Sequence, residues 1–101
     1  MGPSFSFSAE SWRYPGKAGW VFVTLPTGTA DEILDAEPPT GGFGSVRVSV
    51  RIGGTTWRTS LFPDRRAASF VLPIKRPVRD AESIEIGDTV DVTVEIVTDG
   101  R

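Results

Sequence analysis

The chain of 101 residues contains no cysteine and no histidine. Without thiols or imidazoles there is no disulfide framework, no zinc or iron–sulfur site of the usual ligands, no cysteine nucleophile and no His-based triad. Long apolar runs are missing too: none approaches the ~20 residues that a membrane-spanning helix needs. Net charge is nearly absent, at −2, so the chain as a whole is not steered toward nucleic acid or an anionic membrane. No cofactor and no membrane partner are expected. The opening Met-Gly-Pro-Ser lacks a basic region ahead of an apolar core, so no secretory signal is read there, and Pro3 argues against myristoylation of Gly2. Cytoplasm is the default expectation.

What is present is ordinary globular composition, 39% hydrophobic with 11 glycines. That suits a single domain over 1–101, with an ordered core at about 4–98. The charge is unevenly laid out. Residues 51–79 hold seven Lys/Arg against one acid, Asp64, whereas residues 80–99 hold seven acids and no base. Two reasons for such blocks stay open: solvated surfaces that partly pair, or a basic patch for an anionic ligand. Arg47 and Arg51 facing Asp91 and Glu95 across neighbouring strands would favour the first.

Residues 45–52 alternate without a miss, with Val46, Val48, Val50 and Ile52 on one face and Ser45, Arg47, Ser49 and Arg51 on the other. Period two marks a half-buried antiparallel strand. Gly53-Gly54 then turns the chain into a second strand from Thr55, a hairpin with a tight loop. Val90, Val92, Val94 and Ile96 define the inner face of the last strand. Near 4–14, Phe5 and Phe7 occupy odd positions while Trp12 and Tyr14 occupy even ones, which predicts a bulge or bend near 9–11. Residues 20–25 are apolar on both faces and should be the most buried strand. Residues 70–74 form a short one, with Pro73 at an edge or at its end.

Thr29-Ala-Asp-Glu32 fits a capping box opening a short helix pinned by Ile33 and Leu34 and stopped by the Pro/Gly loop at 38–42. Pro77 suits the first turn of a second helix reaching about Ser83, and Gly87-Asp88 turns the chain into the final strand. The fold expected is mainly β: a small closed or nearly closed antiparallel β-barrel of six or so strands with two short helices.

Four segments occur in order: Gly19-Trp-Val-Phe-Val-Thr-Leu-Pro26, Gly42-Phe-Gly-Ser-Val-Arg-Val48, Thr56-Trp-Arg-Thr-Ser-Leu-Phe-Pro63, and Val71-Leu-Pro-Ile-Lys75 followed by Val78-Arg79 and Gly87-Asp88. Together, over about residues 4 to 98, they closely resemble the bacterial domain-of-unknown-function family nineteen-oh-five, a small β-barrel family. Some of its members carry a YdeI/OmpD-associated segment beside the barrel. The resemblance implies a barrel, a bacterial origin and a cytoplasmic location, and it implies no activity. Residues 71–92 alone also resemble the strand–helix–strand half of AbrB-type swapped-hairpin DNA-binding domains. There, arginines near the helix contact DNA in a homodimer, and Lys75, Arg76 and Arg79 are the corresponding candidates. Those domains are about half as long as this chain.

With Cys and His excluded, catalysis would fall to carboxylates, Lys17, Lys75, Tyr14 or hydroxyls. Asp31, Glu32 and Asp35 cluster, but on a short exposed helix such acids simply favour the dipole, and no metal site is expected. The candidate ligand-binding residues are Arg58, Lys75, Arg76 and Arg79. Lys75 and Arg79 are four apart around Pro77, where free N–H groups of a helix start would add to the cations, and Arg58 could join them or face water. Trp12 and Tyr14, beyond the expected bend, are candidates to line a barrel mouth, whereas Trp20 and Trp57 are expected in the core. The leading reading is a non-enzymatic binding or interaction module, monomer or homodimer, taking an anionic small molecule or protein. An AbrB-like homodimeric DNA-binding protein and a cofactor-free enzyme are the alternatives. Nucleic acid is less favoured, because the chain is acidic and no single strand shows an aromatic row.

Overall fold

Alternation of β-branched and polar residues builds most of the molecule, and the computed structural model describes residues 2–16, 18–36 and 44–97. In chain order these form β1 (Ser4–Arg13), β2 (Val21–Thr24), α1 (Thr27–Ala36), β3 (Val46–Ile52), β4 (Thr55–Asp64), β5 (Ser69–Pro73), α2 (Arg76–Glu82) and β6 (Thr89–Ile96). The six strands close into an antiparallel barrel in the order β1-β2-β5-β4-β3-β6. Closure removes the free edges that so short a chain could not otherwise cover. β5 accordingly has a neighbour on each side, and Pro73 marks its end.

The two ten-residue strands turn the corners. β1 pairs with β6 from Ser4 to Glu10, then with β2 from Ser11 to Arg13. β4 pairs with β3 up to Leu61, then with β5 from Phe62 to Asp64. The expected change of phase in β1 does not occur. Its register with β6 is unbroken, and Phe5, Phe7, Ala9 and Ser11 all take the inward phase. Trp12 is on the outer face, so no extra residue is needed to turn it. The partner exchange at residues 10–11 makes the corner instead.

The β3–β4 hairpin forms as its alternation demands, with Ile52 opposite Thr55 across Gly53-Gly54. Gly53 has φ +58°, a conformation that costs other L-residues, and a Cβ there would collide with the Glu82 carboxylate. That carboxylate is held by the Thr55 hydroxyl (2.6 Å), which ties the end of α2 to the hairpin. β3 and β6 are neighbours, so Arg47 and Arg51 stand on the same outer wall as Asp91 and Glu95. Among the described residues, however, the sole ion pair within 4.0 Å joins Arg76 to Asp80.

Val23, Val48, Val50, Val94, Leu61 and Leu72 meet in the barrel interior with no exposure at all. α1 closes one end with Ala30 and Ile33, and α2 lies at the other with Val78. α1 starts at Thr27, two residues before the expected capping box, because Ala30 N–H already donates to the Pro26 carbonyl (3.0 Å). Thr29 is therefore inside the helix, and Leu34 is exposed rather than pinning it. The 38–42 loop expected to stop it lies outside the described residues. α2 matches its expectation: Lys75 is the N-cap, Pro77 sits in the first turn, and Ser83 ends it in the left-handed conformation. Neither helix is long and apolar enough to cross a membrane.

Candidate functional site

Register places the aromatic residues. Trp12 lies directly opposite Phe22, and Phe22 lies opposite Pro73, so one outer row crosses β1, β2 and β5. Three rings gather around Phe22 on that wall. Trp12 is 5.3 Å from Phe22, and Trp20 stacks on it at 6.2 Å and 12°. Tyr14 meets its edge at 6.3 Å. Each such pair adds about 0.5–1.5 kcal/mol beyond area burial, which helps hold a cluster on an outer face. The Trp12 indole N–H is satisfied by the Thr24 hydroxyl (2.9 Å). Trp20 and Tyr14 remain open, at 51% and 56% exposure.

These positions correct two expectations. Trp12 and Tyr14 stand on the outer wall rather than at a barrel mouth, and Trp20 is a surface residue rather than core. The physical reason is the parity of β2, where Val21, Val23 and Leu25 fill the interior and leave Trp20, Phe22 and Thr24 to face out. Trp57 does pack against the core, though its indole N–H is buried with no acceptor among the described residues.

The cations meet the same wall at its α2 end. Ile74 N–H donates to the Val21 carbonyl (2.8 Å), which carries the β2–β5 register past the strands. One step further sets Trp20 across from Lys75. Both line a shallow cavity of about 180 Å³ that also includes Arg76 and Arg79. Arg79 is anchored there, because its Nε–H donates to the Ile74 carbonyl (3.1 Å) and the side chain is half-buried. Arg76 faces Asp80 at 4.0 Å with both groups strongly exposed, a pairing worth ~0–1 kcal/mol that leaves the guanidinium free to exchange partners. Arg13, opposite Val21 in the β1–β2 register, turns its guanidinium to the Gly16 carbonyl (3.2 Å) and does not line this cavity. The structure therefore brings Lys75, Arg76 and Arg79 together with Trp20.

Arg58 does not join them. It projects from the outer face of β4 opposite Ser49 of β3, away from the residues lining this cavity. The helix start contributes little to the positive field, since Pro77 has no N–H and those of Val78 and Arg79 both donate to the Lys75 carbonyl (3.0 and 3.1 Å). Positive charge at the site comes from side chains.

Asp31, Glu32 and Asp35 are exposed on α1, at the far end of β5 from this cavity. No cluster of acids fit to hold a metal ion occurs among the described residues. Lys17 lies outside them. The strands that resemble a swapped hairpin also behave differently from an exchanged pair: β5 joins β2 and β4, and β6 joins β1 and β3, all within one chain. The barrel is complete without strands from a second copy.

Sequence reasoning missed the outward aromatics Trp20 and Phe22 at β2. The signal was present in the alternation of aliphatic residues at 21, 23 and 25 with bulky aromatic or hydroxyl side chains at 20, 22 and 24. No curated protein matches the chain. The family model described as Domain of unknown function (DUF1905) matches residues 7–94, which include every strand of the barrel and both helices at least in part. With that match over most of its length and the six-stranded barrel just described, the chain belongs to the DUF1905 family.

Proposed function

We propose that this protein is a non-enzymatic binding module whose site is the cavity between Trp20 and the cations Lys75, Arg76 and Arg79, and that it takes an anionic ligand. One observation carries the reading: three cations of the basic segment converge on an open aromatic ring in the same cavity. A rigid strand register holds Trp20 and Lys75 in place, and the carbonyl bond on Arg79 fixes a third group without neutralising it. Such preorganisation lowers the ordering cost of binding. The setting is bacterial and cytoplasmic, as the family resemblance implies.

Isothermal titration with inorganic tripolyphosphate, a compact polyanion, tests the reading. Wild-type protein should bind it, and Lys75→Glu with Arg76→Glu should weaken binding at least tenfold, because both side chains are exposed and their reversal leaves the barrel intact. Equal affinity in the two proteins, or none in either, would contradict the assignment.

A further inference from the structure

We infer that the outer wall formed by β1 and β2 binds single-stranded nucleic acid, with bases stacking on Trp20, Tyr14 and the rings between them, and phosphates held by Lys75 and Arg76. This inference rests on the anion reading above and names its ligand class.

Two independent features of the wall point the same way. The first is the open π-surface: Trp20 and Tyr14 are more than half exposed, and Trp12 and Phe22 fill the space between them. Flat rings accept any base face without reading its edge, the recurring device of single-strand binders. The second is charge complementarity. Lys75 lies across from Trp20 at the β5 side, and Arg76 and Arg79 continue from Lys75 along α2. A strand whose bases lie on the rings therefore has its backbone beside a margin of three cations. The acids near this wall are Asp80 beside Arg76, Glu10 two residues before Trp12 in β1, and Glu85 and Asp88, whose backbone carbonyls accept from Ser11.

The net charge of −2 does not oppose this, because the acids of β6 sit on the other wall. Asp91 and Glu95 face out beside Ser8 and Ser4, and the Ser8 hydroxyl donates to Asp91 (2.5 Å). The two walls differ in kind: serine, threonine and mixed charge where β6 pairs with β1 and β3, aromatic with a cationic margin where β1 meets β2. The aromatic row that the sequence lacked on any one strand is assembled by register across two.

Duplex DNA should bind poorly, because its bases are already stacked and cannot reach the rings. The test is fluorescence anisotropy with a labelled thymidylate dodecamer, against its duplex and against inorganic polyphosphate of matched charge, with size-exclusion light scattering on the same samples. The dodecamer should bind at least tenfold more tightly than either competitor. Trp20→Ala should weaken it about tenfold while leaving the salt dependence unchanged. Lys75→Glu with Arg76→Glu should weaken it and flatten the slope of log affinity against log salt by roughly 0.7 per cation lost. Tyr14→Ala, at an even more open position, provides a second ring deletion that spares the fold. Polyphosphate binding as tightly as the dodecamer, indifferent to Trp20→Ala, would overturn the nucleic-acid inference and leave the anion reading standing. So would a homodimer that Trp20→Ala dissociates, since a second copy would then cover the wall. Failure of the dodecamer and of tripolyphosphate alike would overturn both.

Discussion

Ser11→Ala probes the interior phase of β1 directly. Ser11 is almost fully buried, at 2% exposure, and its hydroxyl donates to the Glu85 carbonyl (3.0 Å) and accepts from Gly87 N–H (3.1 Å). Alanine removes both bonds but orphans neither partner. Gly87 N–H also donates to the Ser11 carbonyl (3.0 Å), and the Glu85 carbonyl also accepts from Asp88 N–H (2.9 Å). The loss is thus two modest hydrogen bonds without a full desolvation penalty, about 1–2 kcal/mol. For a domain of this size that lowers the melting temperature by roughly 5–15 °C. Ser8→Ala in the same strand is the control: Ser8 is exposed and its bond to Asp91 competes with water, so its cost stays below about 0.5 kcal/mol. Urea unfolding followed by tryptophan fluorescence measures both, with the slope against denaturant unchanged. Equal costs for the two serines would refute the inward placement of Ser11 and with it the unbroken phase of β1.

Gly53→Ala should cost about 2 kcal/mol, since it combines a left-handed φ with displacement of Glu82 from Thr55, whereas Gly54→Ala, which meets open space, should be neutral or slightly stabilising. Thermal unfolding of the pair measures the difference. Trp57→Phe should change stability by less than about 1 kcal/mol despite the packing of the ring on the core, because it also removes a buried N–H with no acceptor among the described residues; a loss above about 2 kcal/mol in urea would show that this N–H has a partner. Trp20→Ala should likewise cost less than about 1 kcal/mol, as befits a half-exposed ring, and a core-sized loss would return Trp20 to the interior.

The barrel was legible where a strand has one wet wall. Val46–Ile52 and the valines of β6 alternate cleanly because one side faces polar neighbours and water, and the hairpin, α2 and the last turn followed from Gly53-Gly54, Pro77 and Gly87-Asp88. Legibility failed on the other wall, where the outer face is itself apolar and hydrophobicity no longer distinguishes inside from outside. Trp20 and Phe22 read as core for that reason. Ser11 misled in the opposite sense, since a buried serine bonded to a turn 74 residues away looks like an outward one. Of the site, Lys75, Arg76 and Arg79 were visible as a charge run with helical spacing. Their meeting with Trp20 was not, because it depends on the β2–β5 register, a pairing of segments about fifty residues apart.

The three tryptophans offer the most direct measurement. Trp20 lies in the proposed site, Trp12 lies beside it with its indole N–H on Thr24, and Trp57 packs against the core behind β4. Their indole N–H resonances can be followed in a ¹⁵N-labelled sample during titration with the thymidylate dodecamer. A saturable shift that is largest for Trp20, smaller for Trp12 and absent for Trp57 is the predicted result. A shift of Trp57 with Trp20 unmoved would place binding elsewhere on the barrel and contradict the account.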